Sequence, residues 1–242
     1  MKKIFVYLTL MAALFSAASC QKSPVSPKAY GYLSFGEFSL GLDESVETRA
    51  TAANGNYIVT IYDAKGGMVD QYKYSDIKNS STPITLPAGI YYLEARSQEG
   101  EVPMAEFELP MYGADAEFSI TAGETTGLGQ VMCTLLQCKV TVSYSEDFLE
   151  SVTGAGSTKV TVTSGYPLEF AIDANGVYDQ SAGYFAVNGN TMEVVFSGNI
   201  DGKSQRMTKS FTNIAPKQWR QIKFIKKTNE QGNASFDIVI ND

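Results

Sequence analysis

Short runs of β-branched and aromatic residues recur along this chain, and glycine, asparagine, aspartate and proline separate them. Residues 57–62 form one such run, and residues 138–144 alternate strictly between apolar and polar side chains. This pattern is typical of short strands with one buried face, and no convincing helical repeat of apolar residues accompanies it. The sequence therefore predicts an all-β fold built from antiparallel β-sandwiches.

The runs fall into two groups, and the 242-residue chain is long enough for two ordinary domains. We therefore expect two tandem antiparallel β-sandwich domains, an N-terminal one over residues 30–133 and a C-terminal one over residues 134–242. No separate linker is visible near residues 130–137, so the two domains are expected to abut.

The first apolar run, residues 30–42, changes phase near Gly36. One face carries Leu33 and Phe35, and the other carries Phe38, Leu40 and Leu42. A phase change at a glycine predicts a bulge or bend in the strand. Residues 43–56 follow as an acidic, then small and polar stretch, which predicts a long exposed loop.

Charge and composition exclude several classes of function. The formal net charge is −7, and removing Lys2 and Lys3 with a leader would make it two units more negative. Such acidity argues against nucleic-acid binding and against electrostatic attachment to an anionic membrane. The chain has no histidine, which removes Ser-His-Asp catalysis, histidine metal sites and the commonest general base. We expect no enzyme activity, no cofactor and no metal.

Apart from Cys20, the cysteines are Cys133 and Cys138. On one continuous strand, positions five apart face opposite sides and lie too far apart for a disulfide, so a disulfide would need a turn between them. Two separately buried thiols are the expected arrangement, and a redox or metal pair is the alternative.

The N-terminus combines Lys2 and Lys3, a short apolar segment and the small residues 16–19, directly before Cys20. This order is that of a secretory signal too short to span a bilayer, and the following cysteine resembles a bacterial lipoprotein signal. The resemblance implies a signal peptide over residues 1–19, lipid attachment at Cys20 and an outer-membrane, surface-exposed location. Residues 20–29 then form a lipidated tether. The alternative is an ordinary secretory signal that contains a cysteine.

The order of strands and turns over residues 57–96 resembles transthyretin-like sandwiches. Over nearly the whole chain, the sequence resembles Bacteroidales-type lipoproteins of unknown function with the organisation of fimbrillins, the subunits of type V pili. Four segments carry this resemblance: residues 46–50, 86–91, 139–142 and 215–224.

In fimbrillins the chain is cut after an arginine, the first strand leaves, and a strand of another subunit fills the groove. The resemblance implies candidate processing between Arg49 and Ala50 and pilus-type partners joined by strand exchange. Anchor proteins of such pili stay uncut and keep their lipid. The plain alternative is that Arg49 is a loop arginine without a role.

The leading prediction is a non-catalytic, membrane-anchored envelope lipoprotein in adhesion or pilus-type assembly. A glycan-binding surface lipoprotein is the alternative, since exposed tyrosines could stack on sugars, and an enzyme with paired carboxylates is a third hypothesis.

The stretch from Asp173 to Asp179 resembles a calcium loop faintly, but Asn175-Gly176 predicts a hairpin turn. We expect Trp219 to be partly buried, although alternation places it on a polar face, so its burial would need the neighbouring domain or a bulge.

Overall fold

A computed structural model describes residues 29–43, 45, 56–163 and 165–241 of the protein. The fold of these residues is almost entirely β, with two single-turn helices, α1 (Tyr74–Ile77) and α2 (Glu146–Leu149). The strands of the first half are β1 (Tyr30–Ser34), β2 (Ser39–Leu42), β3 (Ile58–Asp63), β4 (Met68–Lys73), β5 (Ile84–Pro87), β6 (Gly89–Arg96), β7 (Ala105–Phe107), β8 (Tyr112–Ile120), β9 (Thr125–Gly127) and β10 (Gln130–Leu135).

The strands of the second half are β11 (Cys138–Tyr144), β12 (Gly156–Val162), β13 (Leu168–Ile172), β14 (Gly183–Phe185), β15 (Thr191–Ile200), β16 (Lys203–Thr212), β17 (Trp219–Thr228) and β18 (Ala234–Asn241). Turns and short loops connect these strands, as the glycine and asparagine residues between the apolar runs predict.

Four sheets enclose two apolar cores. A three-stranded sheet of order β5-β1-β9 and a six-stranded sheet of order β2-β10-β8-β6-β3-β4 both contribute to the first core. A five-stranded sheet of order β18-β17-β11-β14-β7 and a four-stranded sheet of order β13-β12-β15-β16 enclose the second. The predicted all-β sandwich fold class is confirmed.

Three strand pairs are parallel within this mostly antiparallel fold: β1 with β9, β2 with β10, and β11 with β17. Parallel neighbours cannot be joined by a tight hairpin, so each pair brings together strands that are distant in sequence. Alternation predicts that a strand has one buried face, but it does not predict the direction of the neighbouring strand. These three parallel pairs could therefore not be predicted from the sequence pattern.

The second core is centred on aromatic side chains. Phe148 lies in α2, which begins after the cap residue Ser145, whose hydroxyl accepts from the Phe148 amide at 3.3 Å. The Phe148 ring lies 5.4 Å from the rings of both Phe196 and Phe224. The single helical turn α2 therefore anchors this core.

The chain passes between the two cores more than once. Leu135 belongs to the first core and Cys138 to the second. In addition, β7 lies between β6 and β8 in sequence but pairs with β14 at the edge of the five-stranded sheet. Phe107 of β7 packs edge-on against Phe170, with ring centroids 5.0 Å apart. The domain boundary after residue 133 stays a prediction, and β7 is a strand of the first half that packs in the second.

Neither helix among the described residues has the length and apolar character needed to cross a membrane.

Candidate functional site

The residues predicted to carry lipid or to be processed, Cys20, Arg49 and Ala50, lie outside the described part of the chain. Between them, the structure describes residues 29–43 and residue 45. We call residues 29–43 the N-terminal insert, because its two strands enter two different sheets. The insert is the candidate functional site, since assembly by strand exchange would require its removal.

The first strand of the insert is the central strand of its sheet. β1 pairs antiparallel with β5, placing Leu33 opposite Ile84, and parallel with β9, placing Leu33 opposite Thr126. The Tyr32 amide also donates to the Glu124 carbonyl at 2.8 Å. Loss of β1 would therefore leave unpaired backbone groups on both neighbouring strands, and such groups attract a replacement strand.

A turn then transfers the chain from one sheet to the other. The Phe38 amide donates to the Phe35 carbonyl at 3.1 Å, which closes the turn at Gly36 and Glu37. β2 continues as the edge strand of the six-stranded sheet, parallel to β10. The bend predicted at the phase change is confirmed, and its physical reason is this change of sheet.

The insert contributes large side chains to the first core. Its fully or almost fully buried members are Leu33, Phe35, Phe38 and Leu40. The Phe35 ring lies 5.8 Å from Tyr72, and the Phe38 ring lies 5.7 Å from Tyr74. Burying each such side chain contributes roughly 1.5–3 kcal/mol. Four of them together match the net stability of an ordinary domain, about 5–15 kcal/mol.

The close fit of the insert also restricts its sequence. A side chain at Gly31 would overlap the carbonyl oxygen of Thr121, a backbone atom that cannot move aside easily. The amide of Leu40 donates to the Tyr74 hydroxyl at 3.2 Å, which ties β2 to the start of α1. A replacement strand would therefore need a small residue opposite Thr121 as well as apolar side chains in register.

The insert is followed in the sequence by a long connection to β3. β2 and β3 belong to the same six-stranded sheet, and three strands lie between them. Residues 44–55 join the two strands, and Arg49 lies within this connection. A single cut there would leave the insert attached to the rest of the described chain by non-covalent contacts alone.

Both cysteines of the described chain are buried and unpaired, as predicted. Burial raises the pKa of Cys133 to about 11 and that of Cys138 to about 12. Both thiols therefore stay protonated and unreactive near neutral pH. They act as small apolar side chains, one beside the insert and one in the second core.

Trp219 is half-buried although it belongs to β17 of the second half. Its ring packs against the first core. The alternation of β17 places Trp219 on a polar face, and contact with the neighbouring core is what buries it. The indole Nε1 donates to Thr141 Oγ1 at 3.0 Å, and the Lys139 ammonium lies 4.4 Å from the ring centre.

The stretch after β13 is a turn, as Asn175-Gly176 predicts. Asp173 Oδ1 accepts from the amides of Asn175 and Val177 at 2.8 and 2.9 Å. These bonds lower the pKa of the Asp173 carboxyl. In the described ranges, no group of three or more acidic or cysteine side chains could hold a metal ion.

The tyrosines considered for sugar stacking do not share one surface. Tyr57, Tyr74 and Tyr91 are buried, whereas Tyr92 is exposed and lies opposite half-buried Tyr62. Sequence reasoning did not pair these last two residues. The alternation of each strand indicates which tyrosines face outward, but only the register of β3 against β6 brings Tyr62 and Tyr92 together.

A family model matches residues 30–242, so the match begins at the insert and spans both cores. The chain belongs to this family, which is described as a domain of unknown function (DUF4493). The expected membership of a family of unknown function is confirmed. No curated protein matches the chain.

Solved structures of similar fold come from Bacteroides and Parabacteroides species. One is described as a candidate polysaccharide-binding protein from Bacteroides thetaiotaomicron; it is 12% identical, with 87% of this chain and 96% of that chain covered, at a TM-score of 0.48. A candidate adhesin from Bacteroides ovatus is 10% identical, with 87% of this chain and 92% of that chain covered, at a TM-score of 0.46. A fimbrial assembly protein from Parabacteroides distasonis is 10% identical, with 88% of this chain and 98% of that chain covered, at a TM-score of 0.44. Likeness at this distance assigns no function.

Proposed function

We propose that this protein is a non-catalytic component of the cell envelope that works in adhesion or pilus-type assembly. Its insert is the element that a partner subunit replaces, or, if the protein is an anchor, the element that stays in place. The single observation that carries the proposal is the position of β1 and β2, buried in two sheets yet followed by one connection that contains Arg49.

The physical basis is β-augmentation, in which a strand from a partner pairs with exposed sheet edges and fills an apolar groove. Removing the insert would expose the edges of β5, β9 and β10 together. It would also open a groove previously filled by Phe35 and Phe38. Such a groove is costly in water, so release of the insert and binding of a partner strand should be coupled.

In the same proposal, lipid on Cys20 holds the protein to the outer membrane through a short tether. The tether of residues 20–29 would lead directly into β1, and the carbonyl of its last residue, Ala29, accepts from the Ala88 amide at 2.7 Å. Cutting near Arg49 then separates the lipid from the rest of the chain, whereas the uncut protein remains anchored.

Limited digestion with an arginine-specific protease tests the processing step. We expect a first cut after Arg49, and we expect the product to release residues up to 49 or to form oligomers, measured by intact mass and size-exclusion chromatography. Arg49→Ala is the control that should resist this cut. Resistance of Arg49, or a cut monomer that keeps its insert indefinitely, would argue against strand exchange.

Cell fractionation tests the anchoring step separately. Cys20→Ala should move the protein from the membrane to the soluble fraction and abolish labelling with a fatty-acid probe. Cys133→Ala serves as the matched control, because it removes a buried thiol without touching the N-terminus. Continued labelling of the Cys20→Ala protein would overturn this part of the proposal.

A further inference from the structure

The outer face of the six-stranded sheet carries an ordered array of side chains that assembly by strand exchange does not use. Tyr62 of β3 lies opposite Tyr92 of β6, and Met68 of β4 lies opposite Tyr62 on the other side. Tyr92 is 43% exposed and Met68 is 66% exposed. Side chains directly opposite on antiparallel strands share one face, so these three form a partly exposed, largely aromatic row.

A polar cleft adjoins this row. Tyr62 forms one end of the cleft, and the next position on the same face of β3, Thr60, lies opposite Glu94. The segment around Gln98 and Glu99 closes the other side. The cleft has a volume of about 230 Å³, below the roughly 300–1,000 Å³ usual for pockets that enclose a drug-sized ligand. Its size therefore suits one small ring at the edge of a longer molecule.

Arg96 fixes one side of the cleft. Its Nη2 donates to Glu94 Oε2 and Asp115 Oδ1, both at 2.9 Å. Its Nη1 donates to the carbonyls of Ala95 and Ala114 at 2.9 and 3.1 Å. Four hydrogen bonds hold the guanidinium and orient the Glu94 carboxylate, so a ligand would meet a preorganised group.

Several groups around the cleft have unused hydrogen-bonding capacity. The Gln98 amide nitrogen is buried and has no hydrogen-bond partner among the described residues. Within the same residues, Glu94 Oε1 and the Tyr62 hydroxyl make no hydrogen bond either. An orphaned buried donor costs free energy, and native proteins rarely keep one without a reason. The cleft thus combines one donor, one acceptor and one hydroxyl beside aromatic rings.

We propose that this cleft and the Tyr62–Tyr92 pair form a binding site for a neutral saccharide. Sugar hydroxyls both donate and accept hydrogen bonds, which matches the Gln98 amide, Glu94 Oε1 and the Tyr62 hydroxyl. The apolar C–H face of a sugar ring stacks on an exposed tyrosine, which is apolar over its ring and polar at its tip. One ring enters the cleft, and the following ring lies on Tyr92.

The charge of this face determines the class of saccharide. Asp115 lies opposite Glu94, and Glu117 lies opposite Tyr92, so carboxylates line the route along the aromatic row. Arg96 is already engaged by two of these carboxylates. Lys73 lies opposite Ile58 beside the cleft, but the surrounding carboxylates outnumber this one ammonium. A uronic acid would therefore meet mostly like charge, and such contacts select against it. The site therefore selects neutral sugars over acidic ones.

Binding measurements on the purified full-length protein test this proposal. The neutral probes are oligomers of mannose, of β-linked glucose and of N-acetylglucosamine, and the acidic probe is oligogalacturonate. We expect calorimetry to detect at least one neutral probe and to find oligogalacturonate weaker. Tyr92→Ala and Gln98→Leu should each weaken neutral binding by about fivefold or more.

Tyr166→Ala is the matched control, because Tyr166 is an exposed tyrosine in the second half of the chain. It should leave binding unchanged, and thermal unfolding of each variant shows whether the fold is kept. The proposal is overturned if no neutral probe binds at about 10 mM, a concentration that detects even weak sites. It is also overturned if oligogalacturonate binds more tightly, or if folded Tyr92→Ala binds as well as the parent protein.

Discussion

The ring centroids of Phe35 and Phe38 lie 5.7 Å apart inside one core, although the two residues flank a turn between strands of different sheets. The turn reverses which face of the chain points inward, so apolar side chains before and after it reach the same interior. The insert therefore packs as one unit shared by two sheets, and its two strands should form and detach together.

Replacing Phe38 by alanine should destabilise the protein by about 3–5 kcal/mol, because a fully buried ring is lost and a cavity is left. Chemical denaturation measures the loss. Tyr32→Ala is the control within the same insert, since Tyr32 is exposed and should cost about 1 kcal/mol or less. Equal losses for the two variants would contradict the packing described here.

The two sheets of the second sandwich are tied by a buried hydrogen bond. The Tyr144 hydroxyl lies 2.6 Å from Thr158 Oγ1, and Thr158 is fully buried. Tyr144→Phe should cost about 1–3 kcal/mol, because the Thr158 hydroxyl is left without a partner. Adding Thr158→Val should recover part of this loss in a double-mutant cycle. A double variant less stable by the sum of both changes would show that the bond contributes nothing.

The carboxylate of Asp237 makes the free energy of unfolding depend on pH in the acidic range. Lys227 and Lys209 donate to its carboxylate at 2.8 and 2.9 Å and hold its pKa well below the usual range. Because the folded pKa is the lower one, the stabilisation is present above the unfolded pKa of about 3.9 and is lost as pH falls through the folded value.

Asp237→Asn should therefore flatten the stability profile below about pH 4. The loss at neutral pH should stay within about 1 kcal/mol for each pair, since both lysines are partly exposed and solvent screens them. Glu169→Gln is the comparison, because the Lys159–Glu169 contact is 4.0 Å long and exposed. A profile of Asp237→Asn parallel to that of the parent protein would contradict this assignment.

Trp219 is the one tryptophan in the sequence and reports on the first core from a strand of the second sandwich. Its fluorescence transition should move to lower denaturant in Phe38→Ala. Thr141→Val, which removes the acceptor of the indole N–H, should change the emission of the folded state with little change in that transition. A fluorescence transition unaffected by Phe38→Ala would show that Trp219 does not sense the first core.

Strict alternation and specific turn residues made much of the fold predictable. β11 has the bounds that the strict alternation of residues 138–144 indicates. The hairpin of β15 and β16 follows from Asp201-Gly202, which both adopt positive φ in a two-residue turn. In contrast, β7, β9 and β14 have three residues each and are too short to show a period.

The candidate sites were predictable only in part. The phase change at Gly36 predicted a bend, but the entry of β2 beside β10 depends on a parallel contact between distant strands. Likewise, Tyr62 and Tyr92 are outward-facing by alternation, and their pairing depends on the register of two strands. Local patterns specify faces, whereas register and direction come from tertiary packing.

Exchange of the insert, followed by native mass spectrometry, tests the central claim most directly. A recognition sequence for a site-specific protease is placed within residues 44–55, the protein is cut, and an isotopically labelled peptide of residues 29–43 is added. We predict that the labelled peptide replaces the resident insert in the cut protein and does not enter the uncut protein. A cut protein that never takes up the peptide, or that loses its insert and stays a folded monomer with nothing in its place, would contradict the account.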